Sequence, residues 1–146
     1  MNAWVVTLVV AAGAAGVQTA QDFAPVKSID AATMSGIDGP RQAVVRSQRE
    51  WEALWRQHAP AGRPVPAVDF AKRMVVGVFI GSRPTGGFSV TITRARLDGA
   101  TLIVEWSERA PSPRDISAQV VTSPAHIVEL PRHDGAIRFD RVEIRP

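Results

Sequence analysis

The chain has 146 residues, 45% hydrophobic and 21% charged, which fits one domain and excludes wholesale disorder. It contains no cysteine, so a disulfide framework, a thiol nucleophile, a thiolate zinc site and an acylated lipoprotein cysteine are excluded. The net charge is +3, nearly all of the basic side is arginine, and the signs are interspersed as in Arg49-Glu50, which describes a solvated mixed-charge surface and not a nucleic-acid face.

No charged side chain precedes Asp22. An apolar run at 4–10 is followed by small residues at 11–16, the layout of a secretory signal peptide over residues 1–20. Its only positive group is the α-amino terminus. The apolar part is shorter than the about 20 residues a spanning helix needs, so no stable membrane span is expected in the mature form. The expected location is secreted or periplasmic. Residues 21–40, with isolated Ile29, Met34 and Ile37, read as a linker with room for an edge strand near its end.

The domain is expected over 41–146. Residues 42–46 suit a first strand. Ser47-Gln48-Arg49-Glu50 has the capping-box spacing, and Trp51, Leu54, Trp55 and His58 follow on one helical face until Pro60 and Gly62 stop it. Residues 74–80 form a continuous apolar run, fit for a strand buried on both faces. A turn-rich loop at 81–87 leads into an alternating strand with Phe88, Val90 and Ile92 inward. Asp98-Gly99 predicts a hairpin, and Leu102, Val104 and Trp106 alternate on the return strand. Residues 110–117 read as an exposed loop and 119–122 as a strand that Ser123-Pro124 interrupts and 126–130 resumes. Ile137, Phe139, Val142 and Ile144 predict a last strand or hairpin. The fold class is α+β and mostly β: an antiparallel sheet or sandwich of about five to seven strands with one amphipathic helix on a sheet face.

The most distinctive blocks begin with Asp69-Phe70 and Val75-Val76-Gly77-Val78-Phe79-Ile80-Gly81. Next comes Arg83-Pro84-Thr85-Gly86-Gly87-Phe88-Ser89-Val90-Thr91-Ile92. Leu102-Ile103-Val104, Pro111-Ser112-Pro113, Val121-Thr122-Ser123-Pro124 and Ile127-Val128-Glu129-Leu130-Pro131 complete the set. In this pattern the sequence resembles the PrcB C-terminal domain family from Val68 onward, and more loosely through the Trp51/Trp55 helix. The family is named for a bacterial envelope protein that associates with a secreted serine protease complex and stabilises it. The resemblance implies an exported, non-catalytic accessory module. The chain departs from the family in lacking the namesake's lipid-attachment cysteine and in having Phe88 where Tyr is common.

The loop Arg83, Pro84, Thr85, Gly86, Gly87 and Phe88 is the candidate partner-binding site. Pro84 fixes its own φ, and two glycines permit close backbone approach. The competing explanation is a tight structural connection between two core strands. The loop lacks the Gly-Lys-Ser/Thr ending of a phosphate-binding loop. His58, His126 and His133 show no metal-ligand spacing, so neither metal nor cofactor is expected. Ser89, His126 and Asp134 or Asp115 supply the residue types of a hydrolytic triad, but Ser89 sits in a strand without a nucleophile elbow. Glu105 and Glu108 face opposite sides of a strand and make no ready acid/base pair. The expectation is a non-enzyme that binds and stabilises or regulates an extracytoplasmic protease or another envelope protein. A direct protease inhibitor, a small envelope hydrolase and a module binding anionic polymers through arginines are the alternatives.

Overall fold

A computed structural model describes residues 23–144; the signal segment expected at 1–20 lies outside them. The elements run β1 (Phe23–Ala24), β2 (Lys27–Ala32), β3 (Pro40–Val45), α1 (Gln48–His58), β4 (Arg73–Ile80), β5 (Ser89–Asp98), β6 (Thr101–Arg109), β7 (Ala125–Pro131) and β8 (Ile137–Arg141). They build two four-stranded sheets, ordered β1-β5-β6-β8 and β2-β7-β4-β3. Every pairing is antiparallel except β6 with β8. The class is the mostly β, single-helix architecture expected, resolved as a sandwich with eight strands in place of five to seven.

The apolar run at 74–80 explains the layering. Met74, Val76, Val78 and Ile80 face the first sheet, where they meet Val90, Ile92, Leu102 and Val104. Val75 and Phe79 face the other way, against Trp51, Leu54 and Trp55 of α1. The β4 sheet is therefore the middle layer, which is why β4 carries no polar alternation. Between those two residues, Gly77 leaves room for the Phe79 ring, which would stand 3.0 Å from a Cβ there.

The helix begins as its capping signal predicts. Ser47 Oγ accepts from Glu50 N at 3.3 Å and donates to Glu50 Oε1 at 2.9 Å. Trp51, Leu54, Trp55 and His58 are all buried. Trp51 Nε1–H donates to the Pro66 carbonyl at 2.8 Å, so this indole is both buried and hydrogen-bonded.

Three local expectations are corrected. The segment given as a linker contains β1 and β2, which are edge strands of the two sheets and pair with β5 and β7. A register shift between Ser28 and Asp30 breaks the alternation of β2, and its small side chains hide it further. Residues 119–122 form no strand; only isolated bridges occur, Arg83 with Thr122 and Met34 with Ser123, and Val120 and Val121 stay exposed. The inward alternation of β5 holds at Val90 and Ile92, then a shift between Ile92 and Arg94 makes Ala95 the next buried residue.

Candidate docking site

The candidate loop is anchored at its first residue. The Arg83 guanidinium donates to both oxygens of Glu108, Nε to Oε1 at 2.6 Å and Nη2 to Oε2 at 2.9 Å. Its Nη1 donates to the Ile80 carbonyl at 2.9 Å. Arg141 reaches the same carboxylate at 3.4 Å. The Arg83 hydrogen bond, against opposing burial, leaves the Glu108 carboxyl below its usual range; the same bond raises Arg83. This planar, two-bond pairing fixes where the loop leaves β4.

The backbone is stitched to the segment between β6 and β7. Arg83 N donates to Thr122 O at 2.7 Å, and Thr122 N returns to Arg83 O at 2.9 Å. Thr122 Oγ1 donates to Thr85 O at 2.9 Å, and Gly86 N donates to Ala118 O at 2.8 Å. Gly87 adopts φ of +89°, and a Cβ there would stand 2.8 Å from Pro111 Cβ. Arg83, Thr85, Gly86 and Phe88 are half-buried; Pro84 and Gly87 are exposed. The six candidate residues therefore do stay together, and much of what they contact is residues 110–124.

That long segment carries what sequence reasoning missed. Ile116 is fully exposed, and Val120 and Val121 are 48% and 59% exposed. Met34, beside Ser123 through its bridge, is 58% exposed. Four large aliphatic side chains thus sit at one end of the sandwich. Connections of this length without secondary structure are uncommon and are usually either functional or linker segments. The available signal was an aliphatic-bearing stretch flanked by Pro111, Pro113 and Pro124.

Two histidines are absorbed by structure. His126 Nδ1 accepts the Ile92 amide at 2.8 Å, which places the ring proton on Nε2, donated to Ser28 Oγ at 2.9 Å. This ring ties the two sheets together. Burial pushes its pKa down, opposed by the charge of Asp30. His58 joins Ser35 Oγ at 2.8 Å through Nδ1 and Asp30 Oδ2 at 2.7 Å through Nε2. This is a hydroxyl–imidazole–carboxylate chain, but Ser35 and His58 are buried, and Ser35 Oγ also accepts the Ile37 amide at 3.0 Å. It clasps β2 to the end of α1.

The residues considered for a triad do not converge. Ser89 is exposed on β5, His126 holds Ser28 and Ile92, Asp134 pairs with Arg132, and Asp115 accepts from Ser112 N. Glu105 and Glu108 part as expected. Glu105 is gripped by Arg94 and Arg96, and Glu108 by Arg83 and Arg141. His133 Nε2 lies 3.0 Å from the Ala100 carbonyl. Among the described residues no three His, Asp or Glu side chains gather as a metal site, and no helix is long and apolar enough to cross a membrane.

The ionised networks set an acid limit. Burial raises the Asp30 carboxyl, but hydrogen bonds from His58 and Arg63 outweigh it and leave it lowered. The Arg94 hydrogen bond, against burial, lowers Glu105. Carboxylates with depressed folded pKa values stabilise fully above the unfolded value of about 4 and lose that contribution as pH falls through the folded values. His126, also depressed, adds an earlier loss that begins as pH falls below about 6.5. The urea midpoint is therefore expected to be flat above pH 7, to fall gently toward pH 5, and to fall steeply below pH 4. A midpoint unchanged from pH 7 to pH 3 would contradict these assignments.

No curated protein and no solved structure matches the chain. The anchored loop and the segment that braces it fall inside the stretch that a family model matches. Residues 74–131, from β4 through β7, match the family described as PrcB C-terminal.

Proposed function

We propose that the protein is an exported, non-catalytic accessory module that binds an extracytoplasmic protease and stabilises or regulates it. The observation that carries this reading is the braced end of the sandwich. The Arg83–Glu108 pair and the Thr122 and Ala118 hydrogen bonds hold a long connection that presents Ile116, Val120 and Val121 to solvent. Exposed aliphatics on a rigid support are the chemistry of a protein-binding surface, where burial against a partner returns about 25 cal/mol per Å2. The match to the PrcB C-terminal family supports a protease as the partner. Residues Arg83 to Phe88 act in this reading as the support, with Pro84 at the contact.

Capture with the tagged protein from a bacterial envelope fraction is expected to enrich a protease. The double variant Ile116→Asp, Val121→Asp is expected to reduce that enrichment at least about tenfold without shifting the melting temperature, since both side chains are exposed. Equal enrichment by the variant would remove this end of the molecule from the proposal. The full exposure of Ile116 also fits an inhibitory loop that enters a protease cleft. Turnover separates the two: an inhibitor stops peptide cleavage at stoichiometric concentration, whereas an accessory module slows the protease's own degradation.

A further inference from the structure

The His126 ring joins three strands. It stands on β7, is 7% exposed, and shares a face with Val128 and Leu130, which pack in the core between the sheets. Its Nδ1 accepts the Ile92 amide of β5 at 2.8 Å, and its Nε2–H donates to Ser28 Oγ of β2 at 2.9 Å. On the outer side of β5, β1 pairs only with Ala95 and Arg96, so at Ile92 the ring stands where a neighbouring strand would. β5 shifts register between Ile92 and Arg94, and β2 shifts between Ser28 and Asp30. Both irregularities therefore lie at partners of this ring, and such bulges re-aim the groups around them.

The two bonds of the ring respond differently to a proton. Neutral imidazole has one acceptor nitrogen and one donor, whereas the protonated ring has two donors. A proton on Nδ1 sets two N–H groups against each other at the Ile92 contact. The Ser28 hydroxyl can accept from Nε2–H in either state. Proton uptake therefore breaks the link to β5 and keeps the link to β2.

The surrounding charges favour the same outcome. Burial holds the ring neutral, and the charge of Asp30 on β2 opposes it by favouring the protonated form. Asp30 is itself held by His58 of α1 and by Arg63. The other charged groups on the strands around the ring are engaged with one another. Lys27 of β2 and Arg73 of β4 pair with Glu129 of β7, and Arg94 and Arg96 of β5 pair with Glu105. Asp98 stands at the far end of β5. The imidazolium therefore has its one favourable charge on the β2 side and nothing to hold it to β5.

We propose that His126 is an acid-operated latch between the two sheets: a proton taken up at Nδ1 releases the Ile92 amide and frees the middle of β5 from β7, while β2 stays in place. The opening is local, on the β1 and β2 side of the sandwich, and the core of Val76, Val104 and Val128 stays packed. It is distinct from acid unfolding, in which the carboxylate clusters protonate as well. The latch does not depend on a partner at the Ile116 end.

Amide exchange of the full chain, read by NMR together with the histidine ring nitrogens, tests the latch. At pH 7.5 His126 Nδ1 is expected to carry no proton and the Ile92 amide to be protected. By pH 4.5 the Ile92 protection factor is expected to fall at least about tenfold as Nδ1 takes its proton, with Val76 and Val128 unchanged. His126→Gln keeps an acceptor for Ile92 and a donor for Ser28 but does not titrate, so its Ile92 protection is expected to be equal at the two pH values. Should that variant fail to fold, the comparison of Ile92 with Val76 and Val128 in the parent still decides. Constant protection of Ile92 while the ring titrates overturns the proposal. So does equal loss at Ile92 and Val76, a ring that takes no proton before the chain unfolds, or a pH-dependent Ile92 in folded His126→Gln.

Discussion

Trp51→Ala is expected to cost about 3–5 kcal/mol of folding stability, the range for truncating a buried tryptophan. Trp51 is fully buried at the centre of the layer between α1 and the β4 sheet. It packs on Trp55 with ring centroids 5.3 Å apart, and its indole N–H is the hydrogen bond that holds the Pro66 carbonyl. Alanine therefore leaves a cavity and also strands a partly buried acceptor. A domain of this size has about 5–15 kcal/mol in total, so the variant should melt roughly 10–20 °C below the parent. Trp51→Phe separates the contributions, since it keeps most of the apolar volume and loses only the donor and part of the ring. It should cost about 1–2 kcal/mol. Equal melting temperatures for parent and alanine variant would mean that α1 does not rest on this residue.

Much of that layer was legible because its signals are local. The serine cap, the four-residue apolar face and the proline stop all lie between Ser47 and Pro60, and the helix formed there buries the four residues its spacing picks out. β4 was legible because a strand covered on both faces cannot carry polar alternation. The hairpin announced by Asp98-Gly99 was legible because Gly99 adopts φ of +59°, although the two-residue loop is Gly99-Ala100 and Asp98 is already paired with Thr101. By contrast, β2 owes its place to pairing with residues about a hundred positions away, and its bulge erases the period that would announce it. The parallel docking of β8 on β6 is likewise set by the sandwich and not by the short stretch itself.

The candidate site divides in the same way. The Arg83 to Phe88 block stood out for its proline and paired glycines, and Gly87 does need its positive φ beside Pro111. What the block does depends on partners remote in sequence: Glu108 for its guanidinium, Thr122 and Ala118 for its backbone. Val120 and Val121 were hidden for the opposite reason. Aliphatic residues suggest a strand in a core, and nothing local reveals that these two are left facing solvent, whereas Ile116 lies in the stretch that reads as an exposed loop.

Gly36→Ala is expected to destabilise by about 3 kcal/mol, far more than an exposed loop position ordinarily costs. Gly36 lies between β2 and β3, and its amide donates to the His58 carbonyl at 2.9 Å. A Cβ would fall well inside contact distance of the Gln57 carbonyl oxygen, and that oxygen belongs to the helix backbone and cannot swing away. The loop must lift from α1, which pulls Ser35 from His58 Nδ1 and loosens the hydrogen bond from His58 to Asp30. Buried polar groups then lose their partners together, so the cost exceeds that of a local clash. Gly39→Ala is the internal control. It lies three residues on with nothing within 4 Å of its added methyl, and should leave stability within about 0.5 kcal/mol or raise it slightly by restricting the unfolded chain. Urea unfolding of the two variants side by side gives the answer: a large loss confined to Gly36 places the loop against the helix end, and equal midpoints would show that it does not sit there.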